Sequence, residues 1–187
     1  MESIQELINK QEITIEASNE AVCQTTEAQT VENYSSTTVI DLLKQSLYIH
    51  WQQTTALSAQ AIHLERWGYK KLAAVLKQDA EEEHQHAIVN IQRLEFFDID
   101  YQPLSIVPPI WNRHDMVGLL NYNLNSVKNA ATVEKRLIIA AREVGDELTA
   151  NVTIPLLQGS EAGISLYEGY LKLIEQMGID NFLTLQA

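Results

Sequence analysis

The sequence predicts an all-α protein built as a four-helix bundle. Three observations support this fold: four long segments repeat apolar residues every three or four positions, no convincing strand pattern occurs, and glycine or proline residues separate the segments. The 187 residues are enough for one domain with a substantial core and a tail. We therefore expect a flexible acidic tail over residues 1–36 and a helical bundle over residues 37–187.

The N-terminal region differs in composition from the rest of the chain. Residues 1–36 are rich in Glu, Gln, Thr and Ser and show no sustained periodicity, which is typical of a flexible segment. Seven acidic side chains and one lysine give residues 1–39 a charge of −6, half of the total of −12. Such a tail is a candidate for binding another protein. A basic stripe is missing from the sequence, so we expect no nucleic-acid partner.

Composition also indicates the compartment. No apolar run approaches the roughly 18–20 residues that a membrane-spanning helix needs, so we expect no membrane partner. Cys23 is the only cysteine, which fits a reducing cytoplasm.

Two helices form the first predicted hairpin. The first begins near Thr37–Thr38 and ends before a turn at Gly68, and the second covers about Tyr69–Phe97. The inward positions of the first are Leu43, Leu47, His50, Leu57, Ala61 and Leu64. Those of the second are Leu72, Leu76, Asp79, Glu83, His86 and Asn90. The second stripe therefore changes from leucines to side chains that can bind a metal.

The second hairpin follows a long proline-containing connection over Asp98–His114, which suits a crossover between two hairpins. A third helix is predicted over about Asp115–Val144, and a fourth over about Asp146–Met177 with Asp146 as its N-cap. The inward positions of the third are Leu120, Leu124, Val127, Ala131, Glu134 and Ile138. Three residues of the fourth predict a kink or break, namely Pro155, Gly159 and Gly163. Residues Asn181–Gln186 are predicted to form a last turn or short helix.

A Glu-x-x-His sequence on the second helix is the main chemical signal. Residues three apart share a helix face, so Glu83 and His86 can hold one metal ion together. Taken alone, this pattern also occurs on solvated helix faces. His50 strengthens it, because a short turn at Gly68 brings that buried position opposite Glu83. A carboxylate with imidazoles suits iron, manganese or zinc.

The chain resembles the bacterioferritins over roughly residues 40–187. The first hairpin carries the likeness in Trp67-Gly68, Lys71-Leu72-Ala73, Glu83-x-x-His86-Ala87 and Arg93-Leu94, and the C-terminal part in Thr149-Ala150-Asn151-Val152 and Tyr170-Leu171-x-Leu173-Ile174-Glu175-x-Met177-Gly178. The resemblance implies a ferritin-like bundle with a long connection between its second and third helices. It also implies multi-subunit shells that oxidise ferrous iron and store the ferric mineral.

The resemblance further implies a di-iron ferroxidase site with a Glu on the first helix, Glu-x-x-His on the second, a Glu on the third and Glu-x-x-His on the fourth. Glu83 and His86 match, and His50 stands at the first glutamate position. The remaining three ligand positions correspond to Val127, Ser160 and Gly163, and the position of a neighbouring tyrosine corresponds to Leu57. We expect Glu134 either to supplement a displaced single-metal site or to be a hydrogen-bonded structural residue.

Two further comparisons stay within this superfamily. His84 matches the position of a methionine that ligates a shared haem in bacterioferritins, but we expect a surface or interface histidine and no haem. A weaker likeness to DNA-protecting miniferritins rests on His50-Trp51, His63, Asp79 and Glu83, with each spacing off by one.

Together these patterns predict a bacterioferritin-like iron-binding or iron-storage subunit whose ferroxidase site is degraded or absent. The expected metal ligands are His50, Glu83 and His86, with iron or another divalent ion as the metal, and the expected assembly is a homo-oligomer. The alternative is a non-catalytic ferritin-like scaffold or interaction protein. Because only half of the di-iron ligands are present, the sequence leaves open whether the protein is an enzyme.

Overall fold

The computed structural model describes residues 38–101 and 115–187, and the regular structure within these ranges is entirely helical. The first helix, α1, occupies residues 38–66. The others are α2 (Lys70–Phe96), α3 (Met116–Glu143), α4 (Glu147–Met177) and α5 (Ile179–Gln186). The all-α prediction is confirmed. The predicted tail, the predicted helix start at Thr37 and most of the long connection lie outside the described residues.

Cross-helix contacts show that α1 and α2 run in opposite directions. Asn90 of α2 donates a hydrogen bond to Ser46 of α1, while His50, one turn further along α1, contacts Glu83, two turns earlier on α2. This is the hairpin predicted around Gly68, whose φ of 92° is a left-handed conformation that glycine adopts without strain.

Cross-helix contacts show that α1 and α3 are also antiparallel. The imidazole of His50 lies beside Glu134, and ten residues later on α1 Gln60 pairs with Asn123, eleven residues earlier on α3. The two buried amides exchange hydrogen bonds of 3.0 and 2.8 Å. Since both α2 and α3 are antiparallel to α1, they are parallel to each other. The C-terminal end of α2 and the N-terminal end of α3 therefore lie at opposite ends of the bundle, as a long crossover between them requires.

Burial follows the predicted stripes closely. Every inward position predicted on α1 and α3 is buried, including the charged residue Glu134, which is 0% exposed. On α2 the apolar positions Leu72 and Leu76 are fully buried, whereas Asp79 and His86 are half-buried. Removing this apolar surface from water drives the packing of all four helices. The stripe pattern thus fixes which side chains face one another at the centre.

Local capping explains where α4 begins. Gly145 ends α3 with a φ of 75°, and Asp146 accepts a 3.0 Å hydrogen bond from the backbone N–H of Thr149. Arg93 of α2 donates to both carboxylate oxygens of Asp146 at 3.2 Å and to Thr149 Oγ1 at 2.8 Å. The predicted N-cap is confirmed, and its bonds to Arg93 also form one of the contacts between α2 and α4.

A kink or break was predicted in α4; the break is wrong, because the helix is continuous from Glu147 to Met177 with Pro155 inside it, and the kink stays a prediction. Proline removes the N–H that would bond the carbonyl of Asn151, four residues earlier. Both residues lie on the exposed face, where water can satisfy that carbonyl. The C-terminal helix is confirmed and begins at Ile179, with the buried Phe182 packing its ring 5.7 Å from that of Tyr170. No helix in the described ranges is long and apolar enough to cross a membrane.

Candidate metal centre

A cluster of polar side chains interrupts the apolar core halfway along the bundle. His50 projects from α1 and Glu83 from α2, and His50 Nδ1 lies 2.5 Å from Glu83 Oε2. Both residues are buried, at 0% and 8% exposure. The helical hairpin places them opposite each other, as the sequence predicts.

His86 joins them from the next turn of α2. Its Nδ1 atom lies 4.0 Å from Glu83 Oε2, and its ring centre lies 5.1 Å from that of His50 in an edge-on arrangement. One ligand atom from each of His50, Glu83 and His86 lies within 4.8 Å of the others. Atoms bound to one ion at about 2.1 Å are at most about 4.2 Å apart, so small side-chain rotations would close this set around a metal.

The buried nitrogen of His86 supports the fit. His86 Nδ1 is inaccessible to solvent and has no hydrogen-bond partner among the described residues. An imidazole nitrogen without a partner is costly in a core unless a water or an ion satisfies it. Two imidazoles and a carboxylate are also ligands that iron, manganese and zinc accept in proteins.

Glu134 of α3 lies on the other side of His50. Its Oε1 atom is 3.2 Å from His50 Nε2, and its carboxylate is fully buried. His50 therefore stands between two carboxylates, Glu83 at Nδ1 and Glu134 at Nε2. The sequence placed Glu134 on the inner face but did not show that it would meet His50.

The electrostatics of the two histidines are opposite. Burial by itself would lower the pKa of His50, but the nearby carboxylates of Glu134 and Glu83, which contact its two ring nitrogens, outweigh it and raise the pKa to about 9. Burial lowers the pKa of His86, and the neighbouring charge of His50 lowers it further. Without a metal at neutral pH, His50 is thus an imidazolium ion between two carboxylates, whereas His86 is neutral and able to donate a lone pair to a metal. Metal binding through His50 Nδ1 would release the proton from that nitrogen.

A cavity of about 310 Å³ opens beside this cluster. Its walls include the two ligand candidates of α2 and apolar or small residues of the other helices, namely Leu57, Glu83, His86, Val127, Gly159, Gly163 and Tyr167. Gly159 makes room for the imidazole, because a Cβ added there would lie 2.9 Å from His86 Cε1. The cavity borders Glu83 and His86, and its volume is large enough for several water molecules.

The second hairpin offers no further carboxylate at the positions that the bacterioferritin resemblance pointed to. Val127 and Gly163 pack together, since a Cβ added at Gly163 would lie 3.1 Å from Val127 Cγ1. Ser160 is buried, and its hydroxyl has no hydrogen-bond partner within the described part of the chain. Leu57 is part of the apolar core.

The remaining candidates are not part of the ligand cluster. His63 is thirteen residues beyond His50 on α1, about 20 Å along the helix axis, so the miniferritin-like ligand order is not assembled. His84 is exposed on the outer face of α2. Asp79 instead accepts a 2.9 Å hydrogen bond from the hydroxyl of Tyr167, a buried α4 residue that the sequence analysis did not single out. Only the regular spacing of inward residues on α4 could have pointed to Tyr167.

Comparison with known proteins agrees with this architecture. The model of the ferritin-like domain family matches residues 40–177, well over half of the chain. The bacterioferritin of Brucella melitensis is 26% identical over 152 residues, a span that covers 80% of this chain and 92% of the relative. The chain forms an antiparallel bundle with a crossover and a polar cluster between its first two helices. Together with the match to the family model, this architecture shows that the chain belongs to the ferritin-like domain family.

Proposed function

We propose that this protein is a bacterioferritin-like iron-binding and iron-storage subunit in which one metal ion is bound by His50, Glu83 and His86. Iron is the expected cargo, although the same ligands accept manganese or zinc. We further propose that the protein is cytoplasmic and acts as a homo-oligomer. The acidic residues 1–36 are a candidate segment for binding another protein.

The observation that carries this proposal is the convergence of three ligand atoms within 4.8 Å at the centre of the bundle. A buried imidazole nitrogen without a partner and a cavity that reaches the cluster support it. Isolated histidines in a core usually make ordinary hydrogen bonds, whereas His86 Nδ1 makes none in the described structure.

The proposal also includes a loss of ferroxidase activity. A di-iron site needs carboxylates from both hairpins, and the corresponding positions of the second hairpin are Val127, Ser160 and Gly163. Val127 and Gly163 carry no ligand atom and Ser160 carries only a hydroxyl group, so these positions supply no carboxylate to a second metal ion. Aerobic oxidation of ferrous iron is therefore expected to run close to the uncatalysed rate.

Metal analysis tests the proposal directly. Protein purified from an iron-supplemented culture is expected to contain about one metal per chain, and His86→Ala is expected to contain none. The matched control is His84→Ala, which removes an exposed histidine from the same helix. Metal-free wild-type protein, or equal metal content in the wild type and His86→Ala, would refute the single-metal site. Fast oxidation with two ferrous ions consumed per chain would refute the loss of ferroxidase activity.

One observation favours a second function, that of a non-catalytic scaffold. The charged His50 can satisfy Glu83 and Glu134 without any metal, as a buried ion triad. In that case a chelator would leave the melting temperature of the wild type unchanged, while His86→Ala would lower stability by roughly 1–3 kcal/mol. Under the metal-binding proposal, a chelator lowers the wild-type melting temperature and has no effect on His86→Ala.

A further inference from the structure

Glu134 is a buried carboxylate with very few partners. It is 0% exposed, and neither of its oxygens makes a well-aligned hydrogen bond in the described structure. The polar atom that faces it is His50 Nε2, at 3.2 Å from Oε1. A small rotation of either side chain would align the N–H with that oxygen.

The two nitrogens of His50 thus face different environments. Nδ1 points to Glu83 and the cluster that includes His86, whereas Nε2 points away from it to α3. When an imidazole binds a metal through one nitrogen, the other carries a proton and usually donates it to a carboxylate or carbonyl oxygen. That second contact selects the tautomer and holds the ring in place.

We propose that Glu134 is the positioning residue of the metal site: it accepts the Nε2–H of His50 and so directs Nδ1 towards the ion. This inference rests on the proposed metal-binding function and assigns Glu134 no direct bond to the metal. Three helices then contribute to the site: α1 and α2 carry the ligands, and α3 carries the residue that orients His50.

The surroundings of Glu134 argue against an incidental carboxylate. Its neighbours on the inner face of α3 are Val127, Leu137 and Ile138, all buried and apolar. A lone carboxylate among such residues is costly unless a partner compensates it. A leucine at the same position would leave His50 Nε2 without this carboxylate beside it.

The first test reads the tautomer of His50 in the wild type. Full-length protein is loaded with zinc, which is diamagnetic, and the imidazole nitrogens are followed by long-range ¹H–¹⁵N correlation NMR. The expected result is a His50 ring with its proton on Nε2 and zinc on Nδ1. A ring protonated on Nδ1 and ligated through Nε2 would overturn the inference.

The second test compares variants by cobalt titration, with the visible absorption of bound cobalt as the spectroscopic readout. Glu134→Leu removes the acceptor and is expected to weaken cobalt binding about ten- to a hundredfold and to alter the spectrum. Glu134→Gln retains an acceptor oxygen and is expected to restore most of the affinity. The matched control is Thr153→Val, which removes a buried hydroxyl group from α4 and is expected to leave cobalt affinity unchanged.

The outcomes separate this inference from the function on which it rests. Failure of the wild type to bind zinc or cobalt would refute the proposed function itself. Wild-type binding that Glu134→Leu matches in both affinity and spectrum would refute the positioning role alone. If Glu134→Leu does not fold, the tautomer of the zinc-loaded wild type and the affinity of Glu134→Gln still decide the question.

Discussion

His86 owes its position to a residue without a side chain. Gly159 of α4 lies against the imidazole so closely that an added Cβ would come within 2.9 Å of Cε1. Such a distance forces the ring to move, because the backbone of a packed helix gives way less easily than a side chain. The ligand position of His86 is therefore set by α4 as well as by α2.

Gly159→Ala is expected to displace His86 and to weaken metal binding at least about tenfold, since a small misplacement of one ligand disrupts the set. Isothermal titration with zinc measures the effect. The control is Gly169→Ala on the same helix, where an added Cβ meets nothing within 4 Å. That control is expected to retain full affinity and to gain roughly 0.5–1 kcal/mol of stability. Equal affinity of Gly159→Ala and the wild type would contradict the role assigned to Gly159.

Asp79 gives the protein a testable pH dependence. Burial raises its pKa to about 6, with smaller contributions from the charges of Glu82 and Glu83, while the hydrogen bond from Tyr167 acts in the opposite direction. A carboxyl group whose pKa is higher in the folded state favours folding when protonated. Its contribution is thus present below about pH 4 and is lost as the pH rises through 6.

Asp79→Asn keeps an acceptor for the hydroxyl of Tyr167 and removes the titrating charge. The variant is expected to match the wild type near pH 4 and to exceed it by about 1–2 kcal/mol at pH 7, the value being reduced because the carboxyl is partly exposed. Urea unfolding across this range measures the difference. Glu81→Gln, an exposed change on the same helix, is the control and should show little difference. A constant difference at all pH values would refute the assignment.

The sequence predicted part of the site from spacing alone. Helical periodicity gave Glu83 and His86 on one face, and the short turn placed His50 opposite them. The contact between His50 and Glu134 could not be derived in the same way, because 84 residues and a long crossover separate the two positions. The length of a crossover does not determine the rotation of the helix that follows it. The sequence likewise could not predict which nitrogen of His50 faces which carboxylate.

Between elements, Arg93 links the end of α2 to the start of α4. The guanidinium is 6% exposed, bonds Asp146 and Thr149, and lies 4.5 Å from the ring centre of Phe96. A planar donor group with two oxygen partners gives a defined geometry that an exposed lysine pair does not.

Arg93→Ala is expected to destabilise the protein by about 3 kcal/mol, because the variant leaves the capping carboxylate and hydroxyl without their partner. The comparison is Lys135→Ala, which breaks the exposed ion pair with Glu161 between α3 and α4. This second change is expected to cost less than about 1 kcal/mol. Thermal unfolding of both variants measures the contrast, and similar losses would show that Arg93 is not a special link.

Helix α4 shows why one prediction about an element was wrong. Sequence-based prediction treats proline and glycine as helix breakers. Proline removes a backbone hydrogen bond, and glycine loses more conformational entropy than other residues when it becomes helical. Here Pro155 faces solvent, and Gly159 and Gly163 face His86 and Val127 across the core. The two inward glycines pack against residues of other helices, and this packing compensates their low helix propensity. The local sequence of α4 does not reveal those neighbours.

For the whole molecule, the fold was largely predictable. Four amphipathic stripes specify four helices that must bury one face each, and a short turn followed by a long connection selects the order of two hairpins. The inward positions of α1 and α3 are all buried, as periodicity predicts. The part that periodicity leaves undetermined is the relative height of the two hairpins, which depends on specific polar contacts.

Self-association is expected at the scale of the whole molecule. Several large apolar side chains are exposed on the isolated chain, among them Ile62 and Phe96 at 70% and Ile139 and Leu148 at 58%. Covering such side chains in an assembly would remove their apolar surface from water and so favour association. Light scattering is expected to give a mass well above that of one 21.2 kDa chain. A monomer mass at working concentration would contradict this, and dilution series provide the control for nonspecific aggregation.

The amide pair between Gln60 and Asn123 has a consequence for how the chemistry can change. Sliding α1 by one turn along α3 would strand both buried amides, with a cost of several kcal/mol. The pair therefore fixes the axial position of α1 relative to α3, and with it the position of His50 opposite Glu134, about three helical turns away. Residues at the centre can be exchanged one by one while this alignment persists. The bundle can thus lose, gain or retune a metal site without having to find its helix arrangement again.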